Sequence, residues 1–71
     1  MTTLSDQLRK RRAKLGVNQT TVANALKISR TTYTHWEAGK HVPDLNQLVK
    51  LANYFDTSLD LLVGRYDNPG Q

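Results

Sequence analysis

Apolar residues recur along this chain at intervals of three and four, and strict alternation never persists over a strand's length. The pattern predicts helices and no strand. Gly and Pro stand between the periodic blocks rather than within them. The first helix runs from about Thr3 to Leu15, with Leu4, Leu8 and Leu15 on one face and Gly16 placed to end it. The second starts from Asn18 as N-cap and turns Val22, Ala23 and Leu26 inward. The third starts from Ser29, ends at Gly39 and buries Tyr33 and Trp36. The fourth, Leu45 to Phe55, follows Pro43 and the cap Asp44, and carries Leu48, Leu51, Ala52 and Phe55 at i, i+3, i+4 and i+7. The fifth is short, Leu59 to Val63, capped by Thr57 or Ser58 and ended by Gly64, with Leu59 and Leu62 inward. Residues 65–71, "RYDNPGQ", have turn composition and little to bury, so they read as a tail to one all-α domain over residues 1–64.

Only "KIS", Lys27 to Ser29, separates the second helix from the third. So short a connection cannot lay two helices side by side; it forces the sharp crossing of a helix-turn-helix. Ala23 lets the two approach closely, and Val22, Leu26, Ile28, Tyr33 and Trp36 would seal the angle. At about 100° per residue, Ser29, Thr32, Tyr33, Trp36 and, at the edge, Glu37 share one side of the third helix. Arg30, Thr31, Thr34, His35 and Ala38 share the other. That outer side consists of donors, acceptors and small residues, the composition that reads base edges in a major groove. A plain solvated helix face has the same composition.

Charge is compatible with both readings, a polyanion-binding surface and a merely solvated one. The 71 residues carry a net +4, unevenly spread. Residues 1–41 hold eight Lys/Arg against Asp6 and Glu37, whereas residues 42–71 hold Lys50 and Arg65 against four Asp. An electropositive N-terminal part points to a polyanion, either nucleic acid or an anionic membrane. The membrane is disfavoured, because the basic run "RKRRAK" lies on a helix without a Trp- or Phe-bearing apolar face. The longest apolar run, Leu61 to Val63, is far too short to span a bilayer. The N-terminus lacks the apolar core of a signal peptide, and the absence of Cys fits a reducing compartment, so the expected location is the cytoplasm.

Catalytic and metal constellations are not found. His35, His41 and Asp44 lack the spacing that places two His on one helical face. No Ser or Thr has a His/Asp partner set, and no Gly-rich loop could cradle a phosphate. Neither an enzyme nor a cofactor is expected. Tyr33 and Trp36 could stack on single-stranded bases, but their phase with Leu and Val makes them core.

The segment Asn18 to Lys40 resembles the Cro/cI-type (XRE family) helix-turn-helix of phage repressors and their bacterial relatives. The resemblance rests on Gln19, small Ala23, the apolar set Val22, Leu26, Ile28, Tyr33 and Trp36, and the closing "WEAGK". "PDLNQLVKLANYFDTSLDLLVG" resembles the family's fourth and fifth helices, so the likeness extends from Leu4 to Gly64. It implies a five-helix, lambda-repressor-like domain that binds double-stranded DNA with its third helix in the major groove. The function implied is transcription regulation, most simply repression at a palindromic operator read by a homodimer, with half-sites about 34 Å apart.

Carried over residue by residue, the resemblance gives Gln19 a phosphate contact and a part in ordering a base-reading side chain. Arg30, Thr31, Thr34 and His35 would face base edges or nearby phosphates, and Thr20 and Thr32 join this DNA-binding set. Lys40, His41 and Lys14 would lie along the backbone. Lys27 stands where many members have Gly, at a position that often needs φ > 0. Arg12, one turn after Leu8, and Glu37, the sole Glu, are expected to form a partly buried salt bridge, a pair the family also implies.

Leu61, Val63 and Tyr66 add apolar surface beside Leu59 and Leu62. They either form a two-fold contact or, for Leu61 and Val63, complete the core. No sensor domain is recognisable, which leaves regulation to the protein's own concentration, to a protein effector or antirepressor, or to proteolysis. A reading of a different class is an antitoxin-like or adaptor module whose main partner is a protein.

Overall fold

Five helices follow one another in a computed structural model that describes residues 3–62: α1 Leu4–Leu15, α2 Gln19–Leu26, α3 Arg30–Glu37, α4 Leu45–Tyr54 and α5 Leu59–Leu62. Val63, Gly64 and the expected tail lie outside the described residues. Each helix begins where a side chain satisfies an otherwise orphaned N–H. Thr3 and Asp6 form a reciprocal capping box on α1. Asn18 Oδ1 accepts from the Thr21 N–H at 2.8 Å, Ser29 Oγ from Thr32 at 3.1 Å and Asp44 Oδ1 from Gln47 at 2.9 Å. Ser58, not Thr57, caps α5 by accepting from the Leu61 N–H at 3.1 Å. Each such cap contributes about 1 kcal/mol.

The α2–α3 turn keeps the left-handed conformation at Lys27, with φ +60° and ψ +43°, although the residue is not Gly. Lys27 and Ile28 then donate their N–H groups back to Asn24 at 3.1 Å and Ala23 at 3.0 Å, closing the end of α2. The Lys27 side chain is exposed, so the position costs backbone strain of about 1–2 kcal/mol but no clash.

The core is Leu8 from α1, Val22, Ala23 and Leu26 from α2, Tyr33 and Trp36 from α3, Leu51, Ala52 and Phe55 from the end of α4, and Leu62 from α5. Leu4, Ile28, Leu48 and Leu59 pack partly buried against it. α3 is held between α2 and α1, while α4 and α5 close the other side. This leaves one long face of α3 uncovered.

Leu15, Ser29 and Thr32 share a helical side with buried residues by phase but are exposed. Leu15 is 51% exposed, because one turn earlier Arg12 takes the inward place and donates to the Val17 carbonyl at 3.2 Å. Ser29 and Thr32, on the inner side of the helical wheel, are both exposed. They lie in the first turn of α3, where Thr32 Oγ1 and Ser29 Oγ are 2.8 Å apart and share a hydrogen bond. Phe55 stays buried but caps α4 rather than continuing it.

Candidate nucleic-acid interface

The uncovered face of α3 begins with Arg30 and Thr31, both exposed, and continues one turn later with Thr34 and His35, both half-buried. Lys40 and His41 follow the left-handed turn at Gly39 (φ +76°) and are exposed. The His35 and His41 rings lie 5.0 Å apart, and with Thr32 they line one shallow cleft. α2 presents Gln19 and Thr20 at its N-terminal end; Thr20 is exposed and Gln19 half-buried. Lys14 is exposed near the end of α1 and is tied to α3 by no hydrogen bond or ion pair among the described residues.

Behind this surface sits a buried polar cluster centred on Glu37, whose side chain is 4% exposed. Arg12 forks onto it, Nε to Oε2 at 2.6 Å and Nη2 to Oε1 at 3.1 Å. This two-pronged geometry is the strong form of an ion pair. Arg9 donates to the Glu37 carbonyl oxygen and pairs with Asp6, so α1 grips the end of α3 by both backbone and side chain. Burial works to raise the Glu37 carboxyl's pKa, but hydrogen bonds from Arg12 and Gln19, together with the nearby Tyr33 hydroxyl, outweigh it and hold the pKa below its ordinary value. The bond to Glu37 likewise raises Arg12. Burial, then Glu37, pushes the Tyr33 hydroxyl up; that hydroxyl is turned towards the cluster but closes no hydrogen bond of ordinary geometry among the described residues.

Gln19 is engaged at both ends of its amide. Its Nε2 donates to Glu37 Oε1 at 3.0 Å, and its Oε1 accepts from Thr34 Oγ1 at 3.1 Å. Arg12, Glu37, Gln19 and Thr34 therefore form one continuous chain from the α1–α3 junction to the outer face of α3. Sequence reasoning found the Arg12–Glu37 pair and gave Gln19 an ordering role, but not the target of that role. The Arg9 contact was missed as well; its spacing of three from Asp6 was the available signal.

The chain belongs to the helix-turn-helix family, whose model matches residues 8–62. It is 32% identical over 63 residues to the cryptic phage CTXphi transcriptional repressor RstR of Vibrio cholerae, covering 89% of this chain and 56% of that protein. It is 40% identical over 58 residues to the SPbeta prophage-derived HTH-type transcriptional regulator YonR of Bacillus subtilis, covering 82% of this chain and 54% of the other. The chain thus spans about half the length of these relatives. Its fold is that of the P22 c2 repressor protein, solved in complex with a synthetic operator. The two superpose with a TM-score of 0.86 at 23% identity, over 93% of this chain and 100% of the other.

Proposed function

We propose that this protein binds double-stranded DNA sequence-specifically, with α3 in the major groove, and acts as a transcriptional repressor. The observation that carries the reading is the uncovered face of α3. Arg30, Thr31, Thr34 and His35 present donors and acceptors outward, while Tyr33 and Trp36 are buried on the opposite side. Arg30 and Thr31 lie at the helix N-terminus, where recognition helices meet base edges. Gln19, Thr20, Thr32, Lys40, His41 and Lys14 supply the surrounding contacts, chiefly to phosphates, which fix register without carrying sequence. The kinship with phage and prophage regulators supports the same reading, as does the operator-bound structure of the protein that shares the fold.

Two copies acting on half-sites about 34 Å apart must meet beside the DNA. Among the described residues the most exposed large apolar side chains are Val42 at 77% and Leu45 at 64%. Val49, at 44%, stands one turn from Leu45 on α4. This face begins one residue past His41, at the edge of the DNA-facing surface, and suits a two-fold contact better than Leu61 at 39%. Val63 and Tyr66, expected partners in such a contact, lie outside the described residues. No helix among the described residues is long and apolar enough to cross a membrane. The protein works in the cytoplasm, on the nucleoid when bound.

Selection of duplexes from a random pool tests the function. The expected result is one enriched, two-fold symmetric sequence whose affinity falls steeply as salt rises. Absence of any enriched sequence, with binding indifferent to salt, would favour a module whose partner is a protein.

A further inference from the structure

Glu37 sets the direction of every hydrogen bond in the chain that leads to the outer face of α3. An ionised carboxylate can only accept. The Gln19 amide, 3.0 Å from Glu37 Oε1, must therefore turn its NH2 group towards it. The reverse orientation would set two oxygens against each other. Gln19 Oε1, which also only accepts, is left facing the Thr34 hydroxyl at 3.1 Å. Thr34 has a single hydroxyl proton, and this contact uses it. Only lone pairs remain on Thr34 Oγ1, on the outer face of α3 one turn past Arg30.

We propose that Thr34 is a specificity-determining residue that acts only as a hydrogen-bond acceptor, reading an amino group in the major groove, N6 of adenine or N4 of cytosine. Gln19 is the positioning residue that fixes this polarity. The proposal rests on the reading that α3 enters the major groove. A free Thr hydroxyl rotates and serves donors and acceptors alike, so it discriminates weakly. A hydroxyl whose proton is already committed meets the N7, O6 or O4 acceptor of a wrongly placed base with lone pairs, and rejects it.

The probe is the duplex that the wild-type chain selects from a random pool. Each adenine or cytosine of a half-site is replaced in turn by the analogue lacking only its amino group, and binding is measured for wild type, Thr34→Val and Gln19→Ala. Thr34→Val keeps the side-chain shape and loses the hydroxyl. At one position per half-site, removing the amino group should weaken wild-type binding about fivefold, the size of one hydrogen bond. The same replacement should leave Thr34→Val unchanged relative to its own intact duplex. In Gln19→Ala the hydroxyl is free to rotate; the replacement should cost less, and a base presenting an acceptor there should be tolerated better than by wild type. Melting curves establish that each variant is folded at the assay temperature, and loss of stability alone would not move a single base preference.

The proposal is overturned if no position couples to Thr34 in this way. It is also overturned if the coupled position responds to removal of a ring N7 acceptor instead, which would mean that Thr34 donates. A pool that yields no preferred sequence would refute the DNA-reading function itself, before any Thr34 variant is compared, and the proposal with it.

Discussion

The two faces of α3 use similar polar chemistry under opposite constraints. Inward, Glu37 is buried and takes hydrogen bonds from Arg12 and Gln19, while Tyr33 and Trp36 are locked in the core beside it. Outward, Arg30 and Thr31 are exposed and have no side-chain partner among the described residues. A buried charge without partners would cost several kcal/mol, so the inner face admits few alternatives. The outer face bears no such penalty and is free to be shaped by what it reads. Thr34 stands at the seam, one end of its environment fixed by Gln19 and the other open.

If this contrast is right, the largest effect comes from breaking the inner face. Glu37→Gln should destabilise the protein by about 3 kcal/mol, the lower end for removing one partner of a buried pair, because Arg12 retains 25% side-chain exposure. Urea melts measure it. A change under about 0.5 kcal/mol, the usual size at a surface site, would mean that the pair contributes nothing.

The same difference should depend on pH in a defined direction. Glu37 titrates below its ordinary 4.5 in the folded state, the burial that opposes ionisation being outweighed by Arg12, Tyr33 and Gln19. Its contribution is therefore complete above pH 4.5 and is lost as pH falls through the lower, folded value. The gap in stability between wild type and Glu37→Gln should stay constant at neutral pH and shrink in acid. A gap that widens below pH 4.5 would reverse the sign of the assignment.

On the outer face the effects should fall on binding and spare the fold. Arg30→Ala should lose about 1–3 kcal/mol of discrimination at one base position per half-site, with its melting curve almost unmoved. Lys40→Ala should instead weaken all duplexes alike and lower the salt slope by about one. Titrations against single-base variants at two salt concentrations separate the two. Uniform weakening by Arg30→Ala would reduce Arg30 to a phosphate contact and send the search for the reader to Thr31 or His35.

The smallest effect lies in the turn that joins the faces to α2. Lys27→Gly relieves the left-handed strain but loosens the unfolded chain, and should stabilise by at most about 1 kcal/mol. Base preference should not change. Destabilisation in a thermal melt would show that the Lys27 side chain makes a compensating contact.

Much of the fold was legible in the sequence because its signals are local. Helix starts follow from Asn18, Ser29 and Asp44, each of which caps through its own side chain three residues ahead. The helix-turn-helix follows from the length of "KIS", and the core stripe of α2 from simple periodicity. Chain order alone also singled out Arg12 and Glu37, since unlike charges at the inward edge of two helices have few other places to go. Periodicity failed where a neighbour rather than a helical phase decides burial. Leu15 has the right phase and is exposed, whereas Gln7, a polar residue, is 5% exposed.

What only the tertiary structure decided is the direction of the polar chain. Gln19 and Thr34 are fifteen residues apart on different helices, and no spacing rule connects them. Their contact exists because α2 and α3 cross at the Lys27 turn, and its polarity exists because Glu37 is buried as a carboxylate against Arg12. The exposure of Val42, Leu45 and Val49 is decided in the same way, by which side of α4 the other helices happen to cover. Sequence pattern fixes which residues can share a face of one helix; which face is buried, and which hydrogen-bond donor meets which acceptor, depends on how the helices pack.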